Sequence, residues 1–288
     1  MTVCSEQYGK AHAAARITAA VLLLAFSCLA FSTGSGTAND ETSFRLAIPL
    51  YAEDGPLPHG FTGKLKDLLR PEDILFVRGG EEIPLVQALD RGKVALVSPS
   101  LEGLEKGLTL LLSRNVRVDF LCYSPDALSK GDTPQEEKDD PRGAVKKARA
   151  LAQEHGLGLI LSPDTSVTLL AFGADMAPHA DIFMVQLQRW QLFERETFMN
   201  MAERTIWWVR KGSSDVPVFA QLSTNPPVHR KAGIRDGMVP ASADDMMERV
   251  RALENRTSGA AFLLYTADNG PDRFLEFLRM LRPPEHGG

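Results

Sequence analysis

Eight short apolar runs, separated by stretches of helical periodicity, constrain this chain more than any other feature. They are Phe44–Tyr51, Ile74–Arg78, Val94–Ser98, Val118–Tyr123, Leu157–Leu161, Ile182–Gln188, Val218–Leu222 and Ala261–Tyr265. Most are near-continuous Val, Ile, Leu and Phe, the pattern of strands covered on both faces in a parallel sheet. Helical faces fall between them: Leu65, Leu68 and Leu69; Ile83, Val86 and Leu89; Leu104, Leu108, Leu111 and Leu112; Val145, Ala148, Leu151 and Ala152; Val167, Leu170 and Ala171; the long stretch from Trp190 to Val209; Met246, Val250 and Leu253; and Phe274, Phe277 and Leu278. Strict alternation of strand and helix implies a parallel sheet with right-handed crossovers. Eight repeats favour closure into a single (β/α)8 TIM-type barrel, and 288 residues suit one barrel after a short leader. The rival, an open doubly wound sheet, loses support because Tyr51-Ala-Glu-Asp-Gly-Pro56 follows the first run where a Gly-rich phosphate loop would stand.

Punctuation agrees with these elements. Asp140 before Pro141 reads as a cap with a first-turn proline, Ser242 with Asp245 as a capping box, and Asn269-Gly-Pro271 as the opening of the last helix. Gly92, Gly156 and Gly259 read as helix stops. The connection Ser124–Asp140 is the longest, and its acidic stretch reads as a functional loop or a solvated one.

Residues 1–38 have the form of a signal peptide and small-residue linker. Lys10 and Arg16 precede the apolar run Ile17–Phe31, and Ser, Gly, Thr and Ala follow to Ala38. The apolar run is short for a spanning helix, which needs about 20 residues. A secreted or extracytoplasmic protein is therefore expected, off the membrane once the signal is removed, with an uncleaved anchor as the alternative. Cleavage leaves Cys122 as the sole cysteine, so no internal disulfide is expected and packing alone must hold residues 39–288. Cleavage also moves the formal charge from −5 to −6, because the leader carries Lys10 and Arg16 against Glu6. That balance excludes nucleic acid as a partner.

In a barrel, chemistry sits at the C-terminal strand ends. The residues selected include Tyr51, Glu53 and Asp54 after the first run, with Arg78, Tyr123, Asp126, Asp164, Gln186, Gln188, Arg189, Gln221, Asn225, Tyr265 and Asp268. Parity sharpens the choice: Gln186 and Gln188 share one face of the sixth run, Val185 and Leu187 the other. An amide turned toward the helices would be buried unpaired, at a cost of about 1–3 kcal/mol, so the glutamines should face the barrel mouth. In the seventh run Gln221 and Ser223 face inward by the same rule. Glutamine donates and accepts at once, which suits a ligand with many hydroxyls, and Trp190 and the tyrosines offer apolar faces to a sugar ring. The alternative is a closed internal hydrogen-bond network. Asp164 is a catalyst or a helix cap; Arg78 binds an anion or pairs with Glu53 or Asp54; Asp119 is a pairing partner, of Arg45 or Arg78. Histidine spacing gives no metal site, no cofactor is expected, and Gly-x-Ser-x-Gly is absent after the leader.

The segments Leu161-Ser-Pro-Asp164, Gln186-Leu-Gln-Arg-Trp-Gln191 and Gln221-Leu-Ser-Thr-Asn-Pro226 carry a resemblance that runs from Phe44 to Leu281. The chain resembles glycoside-hydrolase barrels, and more closely a group of exported bacterial barrels whose activity is not assigned. The resemblance implies a carbohydrate-active hydrolase with Asp164 and Asp126 as acid and base. Many such hydrolases place glutamates at the ends of strands four and seven, where this chain has Cys122-Tyr-Ser-Pro-Asp126 and Gln221-Leu-Ser-Thr-Asn225. That departure keeps two other readings open, a barrel that binds a saccharide or other polar ligand without turnover and a partner-binding scaffold.

Overall fold

The computed structural model describes residues 44–125, 132–165, 172–226 and 239–283. Every expected run has become a strand: β1 (Arg45–Pro49), β2 (Ile74–Val77), β3 (Lys93–Ser98), β4 (Phe120–Tyr123), β5 (Gly158–Leu161), β6 (Ile182–Gln186), β7 (Val218–Ser223) and β8 (Gly259–Leu263). All pairings are parallel and follow chain order, and β8 returns to β1, so the sheet is a closed (β/α)8 barrel. The helices are α1 (Phe61–Lys66), α2 (Ile83–Leu89), α3 (Leu101–Ser113), α4 (Gln135–Asp139), α5 (Pro141–Glu154), α6 (Gly173–Met176), α7 (Arg195–Gly212), α8 (Ala243–Leu253) and α9 (Gly270–Leu281). No helix among the described residues is long and apolar enough to cross a membrane.

The alternation of side chains along each strand divides the core in two. Ala47, Ile74, Phe76, Ala95, Cys122, Ile160, Ile182, Met184, Phe219 and Ala261 fill the barrel. Their neighbours in sequence, among them Leu46, Leu75, Leu121, Leu159, Val185 and Leu222, pack outward against the helices. The interior is crowded, and two glycines make room for it. A Cβ on Gly158 would stand 2.5 Å from the Phe120 ring, and one on Gly259 would stand 2.4 Å from the Arg45 carbonyl oxygen and 2.8 Å from the Phe219 ring. Gly259 is thus the first residue of a strand in close approach, not a helix stop. Gly156 does end its helix, at φ of 66°, but α2 is closed by Asp90 at φ of 50°, and Gly92 at φ of 81° stands two residues beyond it, against the Asp73 carbonyl and Leu75.

Helix starts follow the sequence signals. Asp140 accepts from the Gly143 N–H, and Ser242 and Asp245 form a reciprocal capping box. The seventh helix begins at Arg195, later than its periodicity implies, because successive turns at Leu187–Trp190 and Trp190–Phe193 carry the chain out of β6 first. The positions Val167, Leu170 and Ala171 lie outside the described residues. So do residues 126–131, part of the long acidic connection; the rest of that connection holds α4, whose Glu137 is buried rather than solvated.

At the opposite end from the mouth, Arg282 is clamped on Asp73. Both are buried, and two guanidinium N–H groups donate to the two carboxylate oxygens at 2.6 and 2.7 Å. Asp73 also accepts the Leu46 and Arg70 N–H groups, and Arg282 donates to the Leu68 carbonyl. The residue after α9 is thereby tied to the segment entering β2 and to β1.

Candidate functional site at the barrel mouth

Gln186 and Gln221 are register partners on β6 and β7, one pleat above Met184 and Phe219 in the barrel interior. Their amides therefore face the mouth, as parity requires. The Gln186 amide N–H donates to the Ser162 carbonyl at 3.0 Å, and its oxygen accepts from Gln188 at 3.4 Å. Gln188 stands just past the end of β6 and is buried. Its own amide oxygen has no hydrogen-bond partner, and neither has the buried Ser162 hydroxyl below it in the chain of contacts. The Gln221 amide makes no hydrogen bond among the described residues.

Asp164 and Tyr265 join this group. Asp164 is buried and lies 3.4 Å from the half-exposed Arg189. The Tyr265 phenol is pushed above its ordinary value, first by burial; the Gln188 amide and Arg189 oppose the shift, and the Glu53 and Asp164 charges add to it. The Tyr265 phenol therefore stays protonated and neutral. At the end of β1 and β2, Arg78 pairs with Glu53 and sits over the Tyr51 ring, 4.0 Å from its centre. This is the Glu53 partnership read from the sequence, and Tyr51 and Glu53 are the first run's contribution to the rim.

Asn225 belongs to a collar around the mouth rather than to its open surface. Its side-chain oxygen accepts from the Thr224 and Thr266 hydroxyls, and its backbone N–H donates to the Ser223 hydroxyl. Gln191, which sequence reasoning passed over, completes the collar: its amide makes two 2.9 Å bonds with the Ser223 backbone, in the manner of an added strand. Asp268 stands exposed in the turn before α9.

Three expectations are corrected. Tyr123 faces away from the mouth, into the layer under the helices, where its hydroxyl donates to Glu137 at 2.8 Å. Alternation dictates this, since Cys122 occupies the interior. Trp190 packs with the outer layer, its ring 5.7 Å from that of Phe193. Asp119 pairs with Arg117 and accepts the Val94 N–H, so it caps the strand entry rather than meeting Arg45 or Arg78. Asp126 lies outside the described residues. Among the described residues no group of three or more His, Cys, Asp or Glu could hold a metal ion.

The mouth offers a ring of amide, hydroxyl and phenol groups, two arginine–carboxylate pairs, and two buried polar atoms left unsatisfied. Such a set has the donors and acceptors that a polar ligand with several hydroxyls requires. No family model matches the chain, and no curated protein matches it. Solved structures share its fold. The spore cortex-lytic enzyme SleL of Bacillus megaterium QM B1551 superposes with a TM-score of 0.54 at 7% identity, over 81% of this chain and 73% of that one. The Group IV chitinase of Ostrinia furnacalis superposes with a TM-score of 0.50 at 12% identity, over 83% of this chain and 99% of that one. At such identities what is shared is the barrel. The chain is a closed (β/α)8 barrel, the architecture that these two solved structures share with it.

Proposed function

We propose that the barrel mouth of this protein binds a saccharide, as part of an exported, carbohydrate-active role. The observation that carries the reading is the buried, unpartnered amide oxygen of Gln188, whose side chain meets Tyr265 and Gln186. A buried acceptor without a donor costs about 1–3 kcal/mol, which a ligand hydroxyl would recover. The fold neighbours named as a lytic enzyme and a chitinase agree in architecture with a carbohydrate ligand.

A thermal-shift screen against a saccharide panel tests it. A bound sugar raises the melting temperature according to its occupancy. Gln188→Ala removes that shift while leaving the unliganded melting temperature little changed, since the amide oxygen makes no bond and the N–H makes a long 3.4 Å bond to Gln186. A flat response of the unaltered protein across the panel would sink the reading.

Hydrolysis is the second reading. It is favoured by two carboxylates at the strand ends, Asp164 paired with Arg189 and Glu53 paired with Arg78. Glycoside hydrolysis uses one carboxyl group to protonate the leaving oxygen and another as base or nucleophile, roughly 5–9.5 Å apart. Asp164 with Asp126 is the pair expected from the sequence, and Glu53 is the alternative partner for Asp164. Sugar release that disappears in Asp164→Asn, with binding retained, supports turnover; binding without release leaves a non-catalytic saccharide-binding barrel. Export rests on the leader, and N-terminal sequencing of protein from the extracytoplasmic fraction checks it. A chain beginning at Met1 in the cytosol would refute it.

A further inference from the structure

We propose that the cleft beside the mouth is a second subsite of the same surface, so that the protein takes an uncharged oligosaccharide chain rather than a single sugar. The inference rests on the saccharide reading above. The cleft lies over the ends of β1 and β2 and measures about 670 Å³. Pockets of roughly 300–1,000 Å³ take drug-sized molecules, which leaves room here for about two sugar units.

One loop faces both spaces. Glu53 and Asp54 line the cleft. The Glu53 N–H donates to the Leu264 carbonyl at 2.8 Å, and Asp54 accepts the Ala267 N–H at 2.7 Å. Leu264 and Ala267 flank Tyr265, whose phenol also feels the Glu53 charge. The loop that walls the cleft is therefore fastened on either side of the tyrosine that stands in the mouth.

The cleft has the surface a sugar ring needs. Tyr51 is buried beneath Arg78, while the Arg78 side chain is 45% exposed. Held by the ring below and by Glu53 beside it, the guanidinium presents N–H donors in a fixed fork. Leu57 and Leu85 supply apolar wall. A pyranose is apolar on its faces and hydroxylated at its edge, and this lining meets both. Glu53 already neutralises Arg78, and Asp54, Glu81 and Glu82 leave the lining acidic, which repels a polyuronate.

Calorimetric titration with two homologous series tests the proposal: β-1,4-linked glucose and β-1,4-linked N-acetylglucosamine oligomers of one to four units, with trigalacturonate as the charged comparison. In at least one neutral series, affinity should rise about tenfold or more from one unit to three. Leu85→Trp, which fills the cleft, should return the trimer to near the monomer's affinity and leave the monomer unchanged. Gln188→Ala should weaken every length. Monomer binding that does not strengthen with length would overturn the second subsite and leave the mouth reading standing. Absence of binding at every length in both series would overturn both. Trigalacturonate bound as tightly as a neutral trimer would overturn the charge selection.

Discussion

A single hydroxyl separates the two roles that tyrosines play in this barrel. Tyr123 spends its hydroxyl on the buried Glu137 carboxylate, which also accepts the Leu101 N–H. Tyr123→Phe leaves that carboxylate short of one donor, and a loss of about 1–3 kcal/mol is expected, read from the urea unfolding midpoint, with saccharide-induced thermal shifts unchanged. Altered sugar binding in this variant would place Tyr123 at the mouth after all. At this scale the sequence is legible where the two faces of a strand differ in polarity. Gln186 and Gln188 alternate with Val185 and Leu187, so their direction can be read. Phe120, Leu121, Cys122 and Tyr123 offer no such contrast, and Tyr123 was assigned to the wrong side for that reason. Glu137 was illegible too, because a glutamate in an acidic, loop-like stretch gives no sign of a tyrosine donor arriving from a strand. Gln191 lacked a signal of another kind, since its partner is backbone.

Elements are read more securely than residues because they depend on sums over many positions. All eight strands and the caps at Asp140 and Ser242 stand where the sequence puts them. Gly259 is the instructive exception. A glycine between a helix and a strand resembles a stop signal, yet its cause lies on neighbouring strands, in the Arg45 carbonyl and the Phe219 ring. Gly259→Ala must push backbone as well as a ring, at a cost of about 1–3 kcal/mol. Calorimetry should show a lowered melting temperature. An unchanged one would mean that the β1–β8 seam yields easily.

For the molecule as a whole, closure joins the first strand to the last, and that long-range pairing is reinforced at one end by the Asp73–Arg282 clamp. Arg282→Ala leaves a buried carboxylate without its cation. A loss of about 3–5 kcal/mol is expected, checked by equilibrium urea unfolding. A loss below about 1 kcal/mol would show that the Leu46 and Arg70 N–H groups suffice for Asp73. Arg282 sits one residue beyond the final helix, so it is among the last parts of the described chain to be synthesised. A growing polypeptide can hold all eight strands and still lack the bolt that locks its first strands to its tail.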